Sequence, residues 1–369
     1  MNINNLLLIG LIYICSTPLC VGKYLVTSPY VLRKDVLMRL SKKIIICILF
    51  LASSLIWAKS SVIAQEIQYP TTILKSKYLK VTVLLPDEKN GYYRSTRFDW
   101  SGIIGQVQYR GHTFFQEWEK YDGTINPGVH DPLNNGTATG TAEEFRNPLG
   151  YDEAKIGEPF VKIGVGILEK AEYKPHHWAF PYKVIEYGKW KINSDKDHIS
   201  FVQDLNTQFG YGYQYEKHIV LSKNTPEITV VHTLKNTGNK EINTNPYCHN
   251  FFCFDNQFIG KDYKIEFSNR IEAKNDFGTK ATVSNNYFYL NNDLSDADPV
   301  QGAINANQSK VFTLSNSKTS TSVEITSEVA PDSFYLYIWR MAFCPEPMIL
   351  INIKPEESFT WATVYKFKI

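Results

Sequence analysis

Cysteine is scarce in this sequence of 369 residues: there are six, three of them before residue 65, and no two are spaced Cys-x-x-Cys. The other three, Cys248, Cys253 and Cys344, are an odd set. A disulfide framework therefore cannot carry the fold, and in an oxidising compartment at least one thiol stays free. A zinc site made of Cys248, His249, Cys253 and Cys344 is disfavoured, because neighbours in a strand point to opposite faces. A basic stripe is missing too. Seven of the 39 Lys and Arg and one of the 37 acidic residues lie before residue 65, which leaves 32 basic against 36 acidic residues, about −4, in the rest. No nucleic-acid partner is expected on that balance. Gly164-Val165-Gly166 opens no helix, so a dinucleotide site is excluded. Nothing after Gln65 reads as an amphipathic helix, an internal repeat or a linker, and residues 65–369 are expected to form a single domain.

The first 64 residues read as a targeting segment. Met38-Arg39-Leu40-Ser41-Lys42-Lys43 is positively charged, Ile44 to Trp57 is apolar, and Val62-Ile63-Ala64 offers the short residues a signal peptidase reads. A signal peptide over 38–64, cut after Ala64, predicts a periplasmic or secreted protein. The apolar run is short for a membrane helix of ~20 residues, and no cysteine follows it in a lipobox-like setting. Membrane contact is expected only through this segment. Residues 1–37 hold another apolar run, Leu6 to Val21. They read as a start-site extension, with a membrane anchor made of both runs as the alternative.

Beyond Gln65 the hydrophobic pattern has period two. Ile228, Val230, His232 and Leu234 alternate with Thr229, Val231 and Thr233; Trp361, Thr363, Tyr365 and Phe367 alternate with Thr360, Ala362, Val364 and Lys366. Similar runs at 80–85, 103–109, 160–167, 201–205, 211–221, 247–255, 263–267, 322–327, 334–339 and 348–353 predict half-buried antiparallel strands. Turn residues separate them, as in Asn236-Thr237-Gly238-Asn239. Many short strands with regular turns predict an all-β sandwich or barrel. The stretch Tyr121 to Lys155, rich in Gly, Asn, Pro and Thr, reads as one long irregular loop, a candidate cleft wall.

Four clusters could carry chemistry. In Asn245 to Asp255, alternation puts Tyr247, His249, Phe251, Cys253 and Asp255 on one face, unlike a pure core; a core histidine satisfied by a carbonyl is the plain alternative. In Cys344-Pro345-Glu346-Pro347 a carboxylate sits between two prolines that hold the backbone extended; the alternative is a solvated loop glutamate. Tyr92 to Gly102 packs Arg94, Arg97, Asp99 and Trp100 among aromatics, the residue types that stack on sugar faces and bond hydroxyls; an edge strand with a surface ion pair would look the same. His176-His177-Trp178 has the same flavour, or is an exposed loop.

Together these segments resemble the galactose mutarotase-like superfamily, which includes the aldose 1-epimerases. Leu234-Lys235-Asn236-Thr237-Gly238 followed by His249-Asn250-Phe251-Phe252 resembles one family segment. Cys344-Pro345-Glu346-Pro347 and Ile353-Lys354-Pro355-Glu356-Glu357-Ser358 resemble the family's ending, and Phe98 to Phe115 its early strand pair. The resemblance implies a large twisted antiparallel β-supersandwich with an open cleft and no metal or organic cofactor. It implies ring opening of a sugar at the anomeric carbon, with Glu346 as base on the C1 hydroxyl and His249 as acid on the ring oxygen, the two expected on opposite sides of that carbon. His176 or His177 is the candidate for the family's second histidine, and Arg94, Arg97, Asp99, Trp100, Trp178 and Tyr247 for sugar contacts. Arg94-Ser95-Thr96-Arg97-Phe98-Asp99-Trp100-Ser101-Gly102 departs from the common pattern and points to a divergent branch. A carbohydrate-binding protein without turnover and a structural envelope β-protein are the rival classes.

Sequencing the N-terminus of the protein recovered from outside the cytoplasm of an exporting bacterial host should give Gln65. A mature chain that keeps Met38 contradicts the signal-peptide reading.

Overall fold

A computed structural model describes residues 69–116, 130–136, 138–171, 175–295, 299–306 and 308–369. The targeting segment lies outside these residues, as does part of the stretch from Tyr121 to Lys155. Among the described residues there is no α-helix; antiparallel strands run throughout, with one short 3-10 turn at Phe254–Asn256.

Two sheets dominate. A ten-stranded sheet has at its centre Thr321–Ser327, Ser358–Lys368, Glu227–Asn236 and Gly212–Leu221, in that order. A six-stranded sheet runs Glu272–Ala273, Val300–Asn305, Ser333–Trp339, Ala342–Met348, Pro246–Phe251, Gly140–Phe145. Alternation decides what each face meets. In Glu227–Asn236 the buried set is Ile228, Val230, His232, Leu234 and Asn236. In Ser333–Trp339 Phe334, Leu336 and Ile338 share one core cluster with Val323, Ile325 and Phe367 of the large sheet. One face of the small sheet is thus closed by the large one, and the other face is left for the cavity described below.

Between the sheets the core is partly ionic. Gly212–Leu221 buries Tyr213, Tyr215, Lys217, Ile219 and Leu221 on its inward face. The Lys217 ammonium contacts the Glu143 carboxylate, lies 3.7 Å from Asp99 Oδ2, and donates to the Ser101 carbonyl at 2.8 Å. His232 Nε2 stands 2.9 Å from Glu143 Oε1, and its ring stacks on Trp361 with centroids 4.7 Å apart. Burial alone would raise the Glu143 pKa, but His232 and Lys217 bring it down to about 2. Glu143 is therefore a fixed anion tying the small sheet to the large one.

Four segments depart from the strand reading. The run 160–167 is a hairpin, Pro159–Lys162 and Gly166–Glu169. Gly164 turns with φ +80°, and a Cβ there would lie 2.5 Å from Asp99 Oδ1, so only glycine lets that carboxylate approach. The run 247–255 ends at Phe251, because Asp255 takes a left-handed conformation (φ 51°) in the turn that follows. The run 348–353 is the last residue of one strand and the whole of another, Ile351–Ile353. The stretch read as irregular between Tyr121 and Lys155 contains the strand Gly140–Phe145, which pairs along its whole length with Pro246–Phe251. Gly-Thr-Ala-Glu-Glu-Phe shows no apolar alternation because its inward positions are held by charge and small residues instead of hydrophobic side chains.

Replacing Lys217 by Met leaves the buried Asp99 and the largely buried Glu143 with less compensation. The loss expected for a broken buried pair is ~3–5 kcal/mol, read by chemical denaturation. A change below ~1 kcal/mol would mean the ionic core does not hold the sheets together.

Candidate functional site

The free face of the small sheet forms one wall of a cavity of about 330 Å³. Three neighbouring strands supply its chemistry. Pro246–Phe251 presents Tyr247, His249 and Phe251; Ala342–Met348 presents Glu346 and Met348; Gly140–Phe145 presents Glu144. Register sets who stands beside whom. Tyr247 lies opposite Met348 on one side and Glu144 on the other, Glu346 lies opposite Tyr335, and His249 lies opposite the small Ala142. Pro345 and Pro347 have no N–H to donate, and the strands of Glu346 and His249 join at a single register pair. Asn250 fills part of that gap by donating its side-chain amide to the Pro345 carbonyl at 3.0 Å.

His249 Nε2 and Glu346 Oε1 are 3.2 Å apart. Both residues are buried, at 4% and 5% exposure, yet both line the cavity. The imidazole is held by aromatic faces: Phe251 stacks on it at 4.3 Å and Phe98 meets it edge-on at 5.9 Å. Its Nδ1 is buried with no hydrogen-bond partner among the described residues. Burial disfavours charge on both groups. It pushes the Glu346 carboxyl up to about 8, with Arg97 opposing and Glu144 adding to the rise. It pushes the His249 imidazole well below its usual range, helped by Arg97. The pair thus carries one proton at neutral pH, and burial places it on Glu346. The assignment implied by the resemblance, a basic Glu346 and an acidic His249, is the same pair after one proton transfer across the 3.2 Å contact. The expectation that the two stand on opposite sides of a sugar carbon is corrected here. They stand side by side on one wall, because their strands are neighbours in one sheet.

Beside them an ion cluster fixes the cavity's shape. Arg97 Nε donates to Glu144 Oε2 at 2.9 Å, Arg97 Nη2 donates to the Tyr247 hydroxyl at 2.9 Å, and that hydroxyl donates to Glu144 at 2.6 Å. Lys162 Nζ donates to the other Glu144 oxygen at 3.0 Å. Burial alone would raise the Glu144 pKa, but Lys162 and Arg97 bring it down to about 2. The Arg97 guanidinium lies over the Phe98 ring at 4.4 Å and the Trp178 ring at 4.1 Å, both cation–π contacts.

Of the candidates read from the sequence, His249, Glu346, Tyr247, Arg97 and Trp178 line this one cavity. The others are placed elsewhere. Arg94 donates to the Lys89 carbonyl at 2.7 Å and is not part of the lining. Asp99 is sealed in the core, where it accepts bonds from the Ser101 hydroxyl and the Tyr215 hydroxyl at 2.6 and 3.0 Å. Trp100 is buried, donates to the Ser95 carbonyl at 2.9 Å, and lies against Tyr187. A run that looked like a sugar-contacting loop is mostly structural, because its segment threads between the sheet and the Gly164 turn and must satisfy its own polar groups there. His176 stacks on Tyr182 at 5.1 Å, and with His177 it lines a neighbouring cavity. Asp255 pairs with His112 Nδ1 at 2.6 Å, away from the site. Cys248, Cys253 and Cys344 are free thiols, and among the described residues no metal-binding group of three His, Cys, Asp or Glu side chains occurs.

Sequence reading missed Glu144, Lys162, Arg146 and the tyrosines Tyr335 and Tyr337. Glu144 hid in the stretch without apolar alternation. Lys162 had a readable signal, a lysine directly after the apolar pair Phe160-Val161, both of which are buried in its strand.

No protein-family model and no curated protein sequence matches the chain. Solved structures do. A galactose mutarotase-like protein from Clostridium acetobutylicum has a TM-score of 0.50 at 11% identity, with 82% of this chain and 96% of that one covered. A galactose mutarotase related enzyme from Lactobacillus acidophilus follows at 0.48 and 12%, covering 81% and 98%. An aldose epimerase homologue from C. elegans gives 0.43 and 11%, covering 82% and 99%. The chain has the galactose mutarotase-like fold at very low identity, and the Clostridium match carries that statement.

The pair leaves a signature in stability. The folded Glu346 carboxyl keeps its proton to about pH 8 while an unfolded glutamate loses it near 4.5, so stability falls as pH rises through that window. His249 acts in the opposite sense, since its folded pKa is depressed: stability rises with pH up to its unfolded value of 6.5, and the contribution is complete above it. Between about pH 6.5 and 8 the glutamate acts alone, at no more than ~1.4 kcal/mol per pH unit. Denaturation midpoints of wild type should drop across this range relative to Glu346→Gln. Parallel curves would contradict a protonated Glu346.

Proposed function

We propose that the protein interconverts the anomers of an aldose, acting outside the cytoplasm after export. The observation that carries this is the one-proton pair of Glu346 and His249, in contact with each other on the wall of a cavity sized for a small ligand. The fold is consistent with this reading.

The chemistry balances with that pair and a sugar. The proton of the C1 hydroxyl passes to one member. The C1–ring oxygen bond breaks, its electron pair goes to the ring oxygen, and that oxygen takes the proton from the other member. C1 is then a carbonyl, rotation about the C1–C2 bond turns its other face to the hydroxyl, and the same transfers in reverse close the ring. The hydroxyl and the ring oxygen are bonded to the same carbon, so an acid and a base side by side can serve both. Glu346 and His249 exchange roles between opening and closing, and the pair ends with the one proton it began with. Tyr247 and Arg97, fixed by Glu144, present polar groups that need no reorganisation when a sugar arrives.

Polarimetry on glucose, galactose, mannose, xylose and arabinose tests this. Wild type should accelerate mutarotation of at least one sugar, and His249→Ala and Glu346→Gln should each lower the rate by ~10²–10⁴-fold. The rate should fall above about pH 8, where the pair loses its proton. No rate above buffer on any sugar contradicts the proposal; binding retained under those conditions would assign a carbohydrate-binding role.

A further inference from the structure

We infer that the natural ligand is longer than one sugar ring, with its reducing end in the cavity of His249 and Glu346 and its next residue in an adjoining cavity. This rests on the anomer-interconverting reading, which fixes which end of the chain enters.

The adjoining cavity encloses about 580 Å³ and shares Arg146 and Trp178 with the first. Each volume falls within or near the range of ~300–1,000 Å³ seen for small-ligand sites, so one hexose does not occupy both. The boundary between them is built from residues suited to bridging two sugars. Trp178 is 43% exposed although the Arg97 guanidinium lies against its ring, which pins the indole without covering it. An exposed, pinned indole is a flat surface held ready at low entropic cost. Arg146 is exposed at the same boundary, and its contact to a side chain is a weak one, Nη1 to Met348 Sδ at 3.8 Å. No carboxylate pairs with it among the described residues, so its remaining donors are available to hydroxyls.

The outer cavity has acceptors to match. Asp152 and Glu241 are exposed in its lining and make no ion pair or side-chain hydrogen bond among the described residues. Glu153, by contrast, is taken up by Lys240 and Tyr211. Two unengaged carboxylates in one lining can each accept hydroxyl donors from a sugar, while the neighbouring single-ring site has its Glu144 already committed to Arg97, Lys162 and Tyr247. A neutral, hydroxyl-rich second residue fits this surface, since the carboxylates would repel an acidic one.

Calorimetry on glucose, mannose, xylose and galactose, each paired with its β-1,4-linked disaccharide and with maltose as an α-1,4 arm, measures the effect. At least one disaccharide should bind about tenfold more tightly than its monosaccharide, the yield of one or two further net hydrogen bonds. In Asp152→Ala/Glu241→Ala that ratio should fall to about one, and in the conservative Asp152→Asn/Glu241→Gln it should be partly kept. If no disaccharide exceeds its monosaccharide, or the ratio survives the double alanine variant, the two-ring site is wrong. Because affinity is read and not turnover, an enzyme silent in polarimetry but showing the ratio would refute the anomer-interconverting reading and leave the two-ring site standing.

Discussion

Two adjacent carboxylates, Glu143 and Glu144, carry the rest of the structure. They alternate across the strand Gly140–Phe145, so one reaches into the core between the sheets and the other into the cavity. Glu144 is buried and Glu143 largely so, and each is offset by two or more nearby cations or donors: Lys217 and His232 for Glu143, and Lys162, Arg97 and Tyr247 for Glu144. Buried charge without such partners would be expelled or neutralised. The register of that strand against Pro246–Phe251 is set from both sides at once, and a slip of one residue would exchange the two clusters. His249 has a fixed position because its neighbouring strand does.

The same burial separates the roles of the acidic groups. Glu144 has cations in contact and stays an anion; Glu346 has Arg97 at longer range and, among the described residues, no Lys or Arg ion pair, and it keeps a proton. Two carboxylates on one cavity wall therefore differ in charge at neutral pH through environment alone. His249 completes the contrast: an imidazole among Phe98, Phe251 and Tyr337 is pressed towards its neutral form. A neutral pair able to pass one proton in either direction suits the proposed ring opening, and it is a poor design for a surface ion pair.

Much of this was legible in the sequence, for a physical reason. Period-two runs such as 228–234 and 360–367 read as strands because one face is more deeply buried than the other. Tyr247 and His249 fell on one face by the same rule, and Glu346 stood out between prolines. Where burial is satisfied by charge, the rule has nothing to read, so Gly140–Phe145 passed as loop. Arg97 and Asp99 are two residues apart and both of a type that bonds sugar hydroxyls, yet one lines the cavity and the other is sealed under Gly164. Composition alone does not separate them, because the choice is made by a turn some sixty residues away in the chain.

A crystal structure with a reducing aldose bound tests the central claim most directly. The C1 hydroxyl and the ring oxygen should each lie within hydrogen-bonding reach, ~2.6–3.2 Å, of the Glu346 carboxyl and the His249 Nε2. A sugar bound in this cavity with its anomeric carbon turned away from both groups, or bound only elsewhere on the protein, would contradict it.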